Sequence, residues 1–231
     1  QMLGIIGAMD EEVAEIKNQM TEVTVERAAA MDFYKGKLRG KDVVVVRSGI
    51  GKVNAAVCTQ ILADRYGVDA VVNTGIAGSL RNEINIGDIV LATDAVQHDM
   101  DATCFDYPAG KIPQMDVYEF KADERLRALA KECSGEVIPE VGVFEGRVLS
   151  GDQFVSSREK KEWLVDTFGG YCTEMEGAAI AQAAYLNNIP FLVIRSISDK
   201  ADDSADMDYK TFEEKAAEHS VKLMIAMVER M

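Results

Sequence analysis

The sequence predicts a single α/β domain over residues 1–231, with a mixed, mainly parallel central sheet flanked by helices. Three features carry that reading. Short β-branched runs recur without apolar–polar alternation, the pattern of strands covered on both faces. Between several of them lie stretches with apolar residues at helical spacing, and alternating strand and helix implies parallel pairing. No linker, low-complexity tract or internal repeat divides the 231 residues, which carry four prolines. Such a length is ample for one buried core.

In chain order, residues 3–6 form the first apolar run, closed by Gly7, and Asp10, Glu11 and Glu12 open a helix. Residues 43–46 make a second strand. The stretch 52–65 follows as a helix, with Val53, Ala56, Val57, Ile61 and Leu62 on its apolar positions. Strands are expected at 70–73 and 89–92. Residues 97–118, with Pro108, Gly110 and Pro113, show no period, and a long irregular loop is usually functional or contacts a partner. Its Phe105, Tyr107 and Tyr118 are apolar groups in need of cover. Helices at 122–131, 174–186 and 209–231 alternate with strands at 141–144 and 191–197.

Composition excludes several classes of function. With 39 acidic and 25 basic side chains the net charge is −14, unsuited to a nucleic-acid backbone, which requires a Lys/Arg patch. Cys58, Cys104, Cys133 and Cys172 are scattered without a CxxC pair, and two histidines cannot complete a zinc cluster with them. They read as small buried hydrophobes of a reducing compartment. No apolar run approaches the roughly 20 residues needed to span a bilayer. The start of the chain lacks a basic region and soon meets acidic residues, so it does not read as a signal peptide. The expectation is a soluble cytoplasmic protein with no metal, cofactor, nucleic-acid or membrane partner.

In open parallel sheets ligands bind beyond the carboxyl ends of the strands, which directs attention to the residues after each apolar run. The glycines of 49–51 and 75–78 suit either a phosphate cradle or a tight turn, and neither segment completes a dinucleotide or P-loop pattern. The helix dipole favours carboxylates at a helix start by roughly 0.3–1 kcal/mol each, enough to explain two of Asp10, Glu11 and Glu12. Thr173 and Glu176 match a capping box, so Glu176 reads equally as a cap or as a carboxylate aimed at a ligand. Asp199 is either an acid of raised pKa at the mouth of a buried strand or an N-cap for residues 200–203. Arg195, inside that strand, demands a water or a carboxylate such as Glu12 or Glu176. Several carboxylates and one arginine suit hydrolysis of a glycosidic bond, one acid activating water and another protonating the leaving group.

Six motifs then stand in register: Gly4-Ile-Ile-Gly-Ala-Met-Asp-Glu-Glu12, Ser48-Gly-Ile-Gly-Lys52, Asn73-Thr-Gly75, Ser150-Gly-Asp152, Glu174-Met-Glu176 and Ser198-Asp199. In order and spacing the chain resembles the 5′-methylthioadenosine/S-adenosylhomocysteine nucleosidases of the nucleoside phosphorylase superfamily. The resemblance implies a nucleoside phosphorylase-like fold and cleavage of the N-glycosidic bond of adenine thioribosides, with 5′-deoxyadenosine as a further substrate. It puts Glu12 at the water-activating base, Asp199 at the acid that protonates adenine N7, and Arg195 beside the attacking water. Glu176 and Met175 fall at ribose-holding positions, Phe154 at the aromatic stacked on adenine, and Val155 where the backbone meets the base edge. Met9, Ile50 and Tyr209 fall around the sugar and alkylthio tail. Ala102, Phe105 and Pro113 fall on a loop that completes the tail pocket of a second subunit, which implies a homodimer.

Phosphorylases of the same superfamily place cations where this chain has Asp10-Glu11-Glu12 and Asn73, and three carboxylates repel phosphate. Ile76 occupies a position that is often serine near the water, so water positioning there falls to Glu12, Arg195 or backbone groups. The competing readings are a phosphate-dependent phosphorylase, a futalosine-type nucleoside hydrolase and a non-catalytic nucleoside-binding protein.

Overall fold

The computed structural model describes residues 1–231 and places the first apolar run as β1 (Leu3–Gly7), buried at every position. There follow α1 (Asp10–Asn18), β2 (Thr21–Ala28), β3 (Met31–Leu38), β4 (Lys41–Arg47) and α2 (Lys52–Tyr66). Next come β5 (Ala70–Ser79), β6 (Ile89–Gln97), a 3-10 turn at Thr103–Phe105, β7 (Phe120–Lys121) and α3 (Glu124–Val137). The chain ends with β8 (Val143–Ser150), α4 (Arg158–Phe168), β9 (Cys172–Glu174), α5 (Gly177–Leu186), β10 (Phe191–Asp199) and α6 (Ala205–Arg230).

One mixed sheet takes in every strand, in the order β10-β6-β8-β9-β5-β1-β4-β3-β2, with β7 on β6. β1 is parallel to both β4 and β5, and β5 is parallel to β10. Because β5 pairs with β10 as well as with β9, the strands β10, β6, β8, β9 and β5 close into a ring. The lack of alternation in β1 and β4 has a simple cause. Ile5, Val43 and Val45 face a core shared with Val13 and Ile16 of α1 and Met224 of α6, while Ile6, Val44 and Val46 face Ala55 and Leu62 of α2 and Ile180 of α5.

The structure moves several expected elements. The strand expected at 141–144 begins at Val143 and runs to Ser150, and the helix expected from 174 begins at Gly177. The last helix starts at Ala205, one turn before the expected 209. The hairpin β2–β3 and helix α4 have no counterpart in the sequence reading. β2 is exposed along nearly its whole length, so it has no apolar run to betray it. α4 buries only Leu164 and Phe168, and its start is marked by Ser157, whose side chain accepts from Lys160 N–H at 3.2 Å. Residues 98–119 stay irregular apart from the 3-10 turn. No helix is long and apolar enough to cross a membrane.

Candidate active site

The carboxyl ends of β1, β4, β5, β9 and β10 border a cavity of about 420 Å³. A larger cavity of about 720 Å³ lies at the opposite, amino ends of β1, β4 and β5. The smaller one is the candidate, because it sits where open α/β sheets bind ligands and holds the buried acids.

Glu12 reaches it from the first turn of α1. Asp10 and Glu11 point to solvent, but Glu12 is 2 % exposed. Its carboxylate turns back over the helix start, Oε1 accepting the N–H groups of Ala8 at 2.8 Å and Met9 at 3.0 Å. Oε2 accepts Ile76 N–H at 3.0 Å from β5. A carboxylate has about four acceptor sites, so one on Oε2 stays available. A Cβ on Gly75 would lie 2.5 Å from that oxygen and 2.8 Å from Arg195 Nη1, so this approach requires glycine. Burial pushes the Glu12 carboxyl above its ordinary value, and the Arg195 charge and the three N–H bonds only partly offset the rise.

Arg195, on β10, is held from several sides. Nη2 meets Glu174 Oε2 and Asn73 Oδ1, each at 2.5 Å, and Glu176 Oε1 at 3.4 Å, while Nη1 donates to Ile76 O at 2.8 Å. Burial alone would weaken its hold on the proton, but the charges of Glu174, Glu176 and Glu12 outweigh that and keep it a cation. Glu174 is thus the closest carboxylate partner of Arg195, a role the sequence reading gave to Glu12 or Glu176. The signal was present: Glu174 and Glu176 are two residues apart at a strand end, and a buried arginine calls for more than one acid.

The capping box of Thr173 and Glu176 does not form. Thr173 Oγ1 has no hydrogen-bond partner, and Glu176 makes no side-chain cap. The first donors of α5 go elsewhere: Gly177 N–H to Glu174 at 2.8 Å and Ala178 N–H to Ser150 Oγ at 2.7 Å. Glu176 is free to line the cavity, with Oε2 accepting Gly51 N–H at 3.0 Å. Burial pushes its carboxyl up to about 7, against the pull of Arg195 and with the Glu174 charge adding to the rise.

Asp199 closes the opposite wall at the end of β10. Oδ1 accepts Ala201 N–H at 2.8 Å and Oδ2 accepts from Ser198 Oγ at 2.9 Å. Residues 200–203 form no helix, which removes the N-cap reading. Burial raises the carboxyl above its ordinary value, the two hydrogen bonds only partly opposing it. The site therefore combines two buried carboxyls, Glu12 and Asp199, each raised above its ordinary value by burial, with an arginine whose positive charge is balanced by Glu174 and Glu176.

Residues 2–229 match the family described as the phosphorylase superfamily. A 5′-methylthioadenosine/S-adenosylhomocysteine nucleosidase of Bacillus licheniformis is 40% identical over 230 residues, 99% of each chain. The chain belongs to this nucleosidase family. The nucleosidase from Neisseria meningitidis, in complex with methylthio-immucillin-A, superposes with a TM-score of 0.96 at 36% identity, covering 100% of this chain and 99% of the other. A futalosine hydrolase of Helicobacter pylori superposes with a TM-score of 0.95 at 39% identity, covering 100% and 98%.

In this member of the nucleosidase family the cavity also brings together Met9, Ile50, Ile76, Phe154, Met175 and Tyr209. Tyr209 packs edge-on against Phe154, with ring centroids 5.4 Å apart, and its hydroxyl donates to Met9 Sδ at 3.2 Å. Ile76 serves through its backbone, holding Glu12 by its N–H and Arg195 by its carbonyl. Val155 does not line the cavity. Its side chain is buried with Leu80, Val96, Leu149 and Phe168, because the segment turns inward after Phe154. Ala102, Phe105 and Pro113 also lie outside the cavity of a single chain, and Phe105 is 76% exposed.

Proposed function

We propose that this chain, acting as one domain over residues 1–231, hydrolyses the N-glycosidic bond of 5′-methylthioadenosine and S-adenosylhomocysteine, releasing adenine and the thioribose. Glu12, through the open acceptor site on Oε2, takes a proton from water that attacks the anomeric carbon. Asp199 gives its proton to adenine N7, so the base leaves neutral as the carbon–nitrogen bond breaks. Arg195 helps hold the water, Glu176 and Met175 hold the ribose, and Phe154 stacks on the base. The state of Arg195 carries the choice of water over phosphate: this buried cation is already bound by Glu174 and Glu176, and Glu12 and Asp199 add two more acids to the cavity. Such a site repels a phosphate dianion and admits water.

The test is chromatography of products from 5′-methylthioadenosine, S-adenosylhomocysteine, 5′-deoxyadenosine and futalosine, each with and without phosphate. Adenine release at a rate indifferent to phosphate is expected. A sugar 1-phosphate would make the protein a phosphorylase, and binding without release would make it a nucleoside-binding protein. Futalosine as the preferred substrate is the second reading, favoured by the futalosine hydrolase among the structural neighbours.

The proposal includes a cytoplasmic homodimer. Cysteine usage supports the location: all four thiols are free, with Cys58, Cys133 and Cys172 buried as expected. Cys104 is exposed, because it lies in the 3-10 turn of the irregular loop, and so departs from the buried reading. For the dimer, Ile50, Val53 and Phe105 are 54%, 74% and 76% exposed, more apolar surface than isolated residues explain. A second copy would cover them, its Ala102, Phe105 and Pro113 completing the tail pocket. Phe105→Ser is expected to shift sedimentation toward a monomer and to raise KM for 5′-methylthioadenosine about tenfold, the loss of one large apolar contact. A monomeric wild-type protein with full affinity would sink this part.

A further inference from the structure

The amino end of α2 breaks two rules of helix construction. Its N-cap is Gly51, with no side chain to cap, and its first helical residue is Lys52, a cation at the positive end of the dipole with no acid in the first turn. The missing caps come from distant carboxylates. Gly51 N–H goes to Glu176 Oε2 at 3.0 Å and Lys52 N–H to Asp152 Oδ1 at 2.8 Å. The Lys52 ammonium folds away to Asp99 Oδ1 at 2.7 Å and Gln97 Oε1 at 3.0 Å. Asp99 Oδ2 then accepts Asp152 N–H at 2.9 Å. Lys52, Asp152 and Asp99 so form a closed circuit of three hydrogen bonds, two of them to one carboxylate.

We propose that Asp99 and Lys52 are positioning residues for nucleoside binding: their pair fastens the 49–52 turn to the 151–155 segment and so sets the distance between Ile50 and Phe154 across the cavity. This rests on the function proposed above. Within a single chain Ile50 and Phe154 are 54% and 41% exposed, so packing inside the chain leaves part of their placement to the backbone ties. The anchor is the end of β6. Gln97 continues the network to Gln182 of α5, and the His98 ring lies so close to Gly151 that a Cβ there would meet it at 2.4 Å. The side chains of Lys52 and Asp99 are 20% and 30% exposed, so the pair is shielded enough to act as a strut. A lysine at an otherwise unfavourable helix position is explained by this second duty.

The experiment compares Asp99→Asn, Lys52→Met and the double variant in the full chain, with Asp94→Asn as a structural control. Asp94 binds Arg147 through two bonds of 2.8 and 3.1 Å, away from the cavity. Each single variant is expected to raise KM for 5′-methylthioadenosine about tenfold while kcat stays within about threefold, the size of one charge-assisted hydrogen bond lost from binding. The double variant is expected to match the singles, because all three break one circuit. Amide exchange in residues 49–53 and 151–155 should accelerate together in Asp99→Asn, whereas Asp94→Asn should lower the melting temperature without moving KM. An unchanged KM in Lys52→Met, additive effects in the double variant, or exchange that rises in one segment alone would overturn the proposal. Absence of adenine release from wild type would instead remove the functional reading, and the exchange arm would still decide whether the two segments are coupled.

Discussion

Glu12→Gln is expected to lower kcat for adenine release by about 10²- to 10⁴-fold, the usual contribution of a positioned general base. The glutamine fills the same space, yet its amide oxygen, though it can accept a hydrogen bond, is far too weak a base to take a proton from water. The three donors on the carboxylate add a structural consequence. Ala8, Met9 and Ile76 N–H groups converge on both oxygens, and the amide NH₂ must face at least one of them. An unsatisfied buried donor costs about 1–3 kcal/mol. Against that, the variant no longer buries a carboxylate whose pKa is raised by desolvation, which offsets part of the loss. A folded protein with a modestly altered melting temperature is therefore expected, and wild-type-like turnover would refute the role given to Glu12.

Asp199→Asn should produce a comparable fall in kcat, about 10²- to 10⁴-fold, with KM nearly unchanged. Here the substitution keeps the local geometry. Asparagine Oδ1 still accepts Ala201 N–H, and its NH₂ donates to Ser198 Oγ, so both existing contacts survive with one reversed in sense. What is lost is the proton that adenine N7 receives. The folded-state pKa of Asp199 is raised by burial, so above the unfolded pKa the native state holds more proton than the unfolded one. Stability from this group accordingly falls as pH rises through the folded pKa. Asp199→Asn removes that penalty and should melt no lower than wild type at pH 8, while remaining inactive. Its residual rate should also lose the part of the alkaline limb of the wild-type pH profile that Asp199 sets, because the carboxyl whose deprotonation removes the acid is gone. Retention of that limb unchanged, or of full turnover, would place the acid elsewhere.

Much of the fold was legible from local pattern. The runs at 3–6, 43–46, 70–73 and 89–92 are strands because each is apolar on both faces, and the helix expected at 52–65 extends by a single residue in α2. The hairpin β2–β3 was invisible for the opposite reason: β2 stays in solvent and owes its place to pairing with β3. Among the site residues, Arg195, Glu176 and Asp199 were marked as candidates because each is a charge at an apolar strand or its end, whereas Glu12 was told apart from Asp10 and Glu11 only by the resemblance to the nucleosidases. Glu174 was not given its role: the paired acids at 174 and 176 hinted at it, both of them meet the arginine, and only the packed sheet makes Glu174 the nearer.

Periodicity and charge placement, readable along the chain, sufficed for the α/β alternation, for the strand ends as the site and for the set of carboxylates. Partner choice and proton affinity arose from packing. Glu12 is anchored by Ile76, 64 positions away, Arg195 by Asn73, 122 away, and the start of α2 by Glu176, 125 away. These groups meet only once the sheet has paired. The desolvation that lifts Glu12, Glu176 and Asp199 is a property of that packed interior, so no stretch of sequence carries it alone.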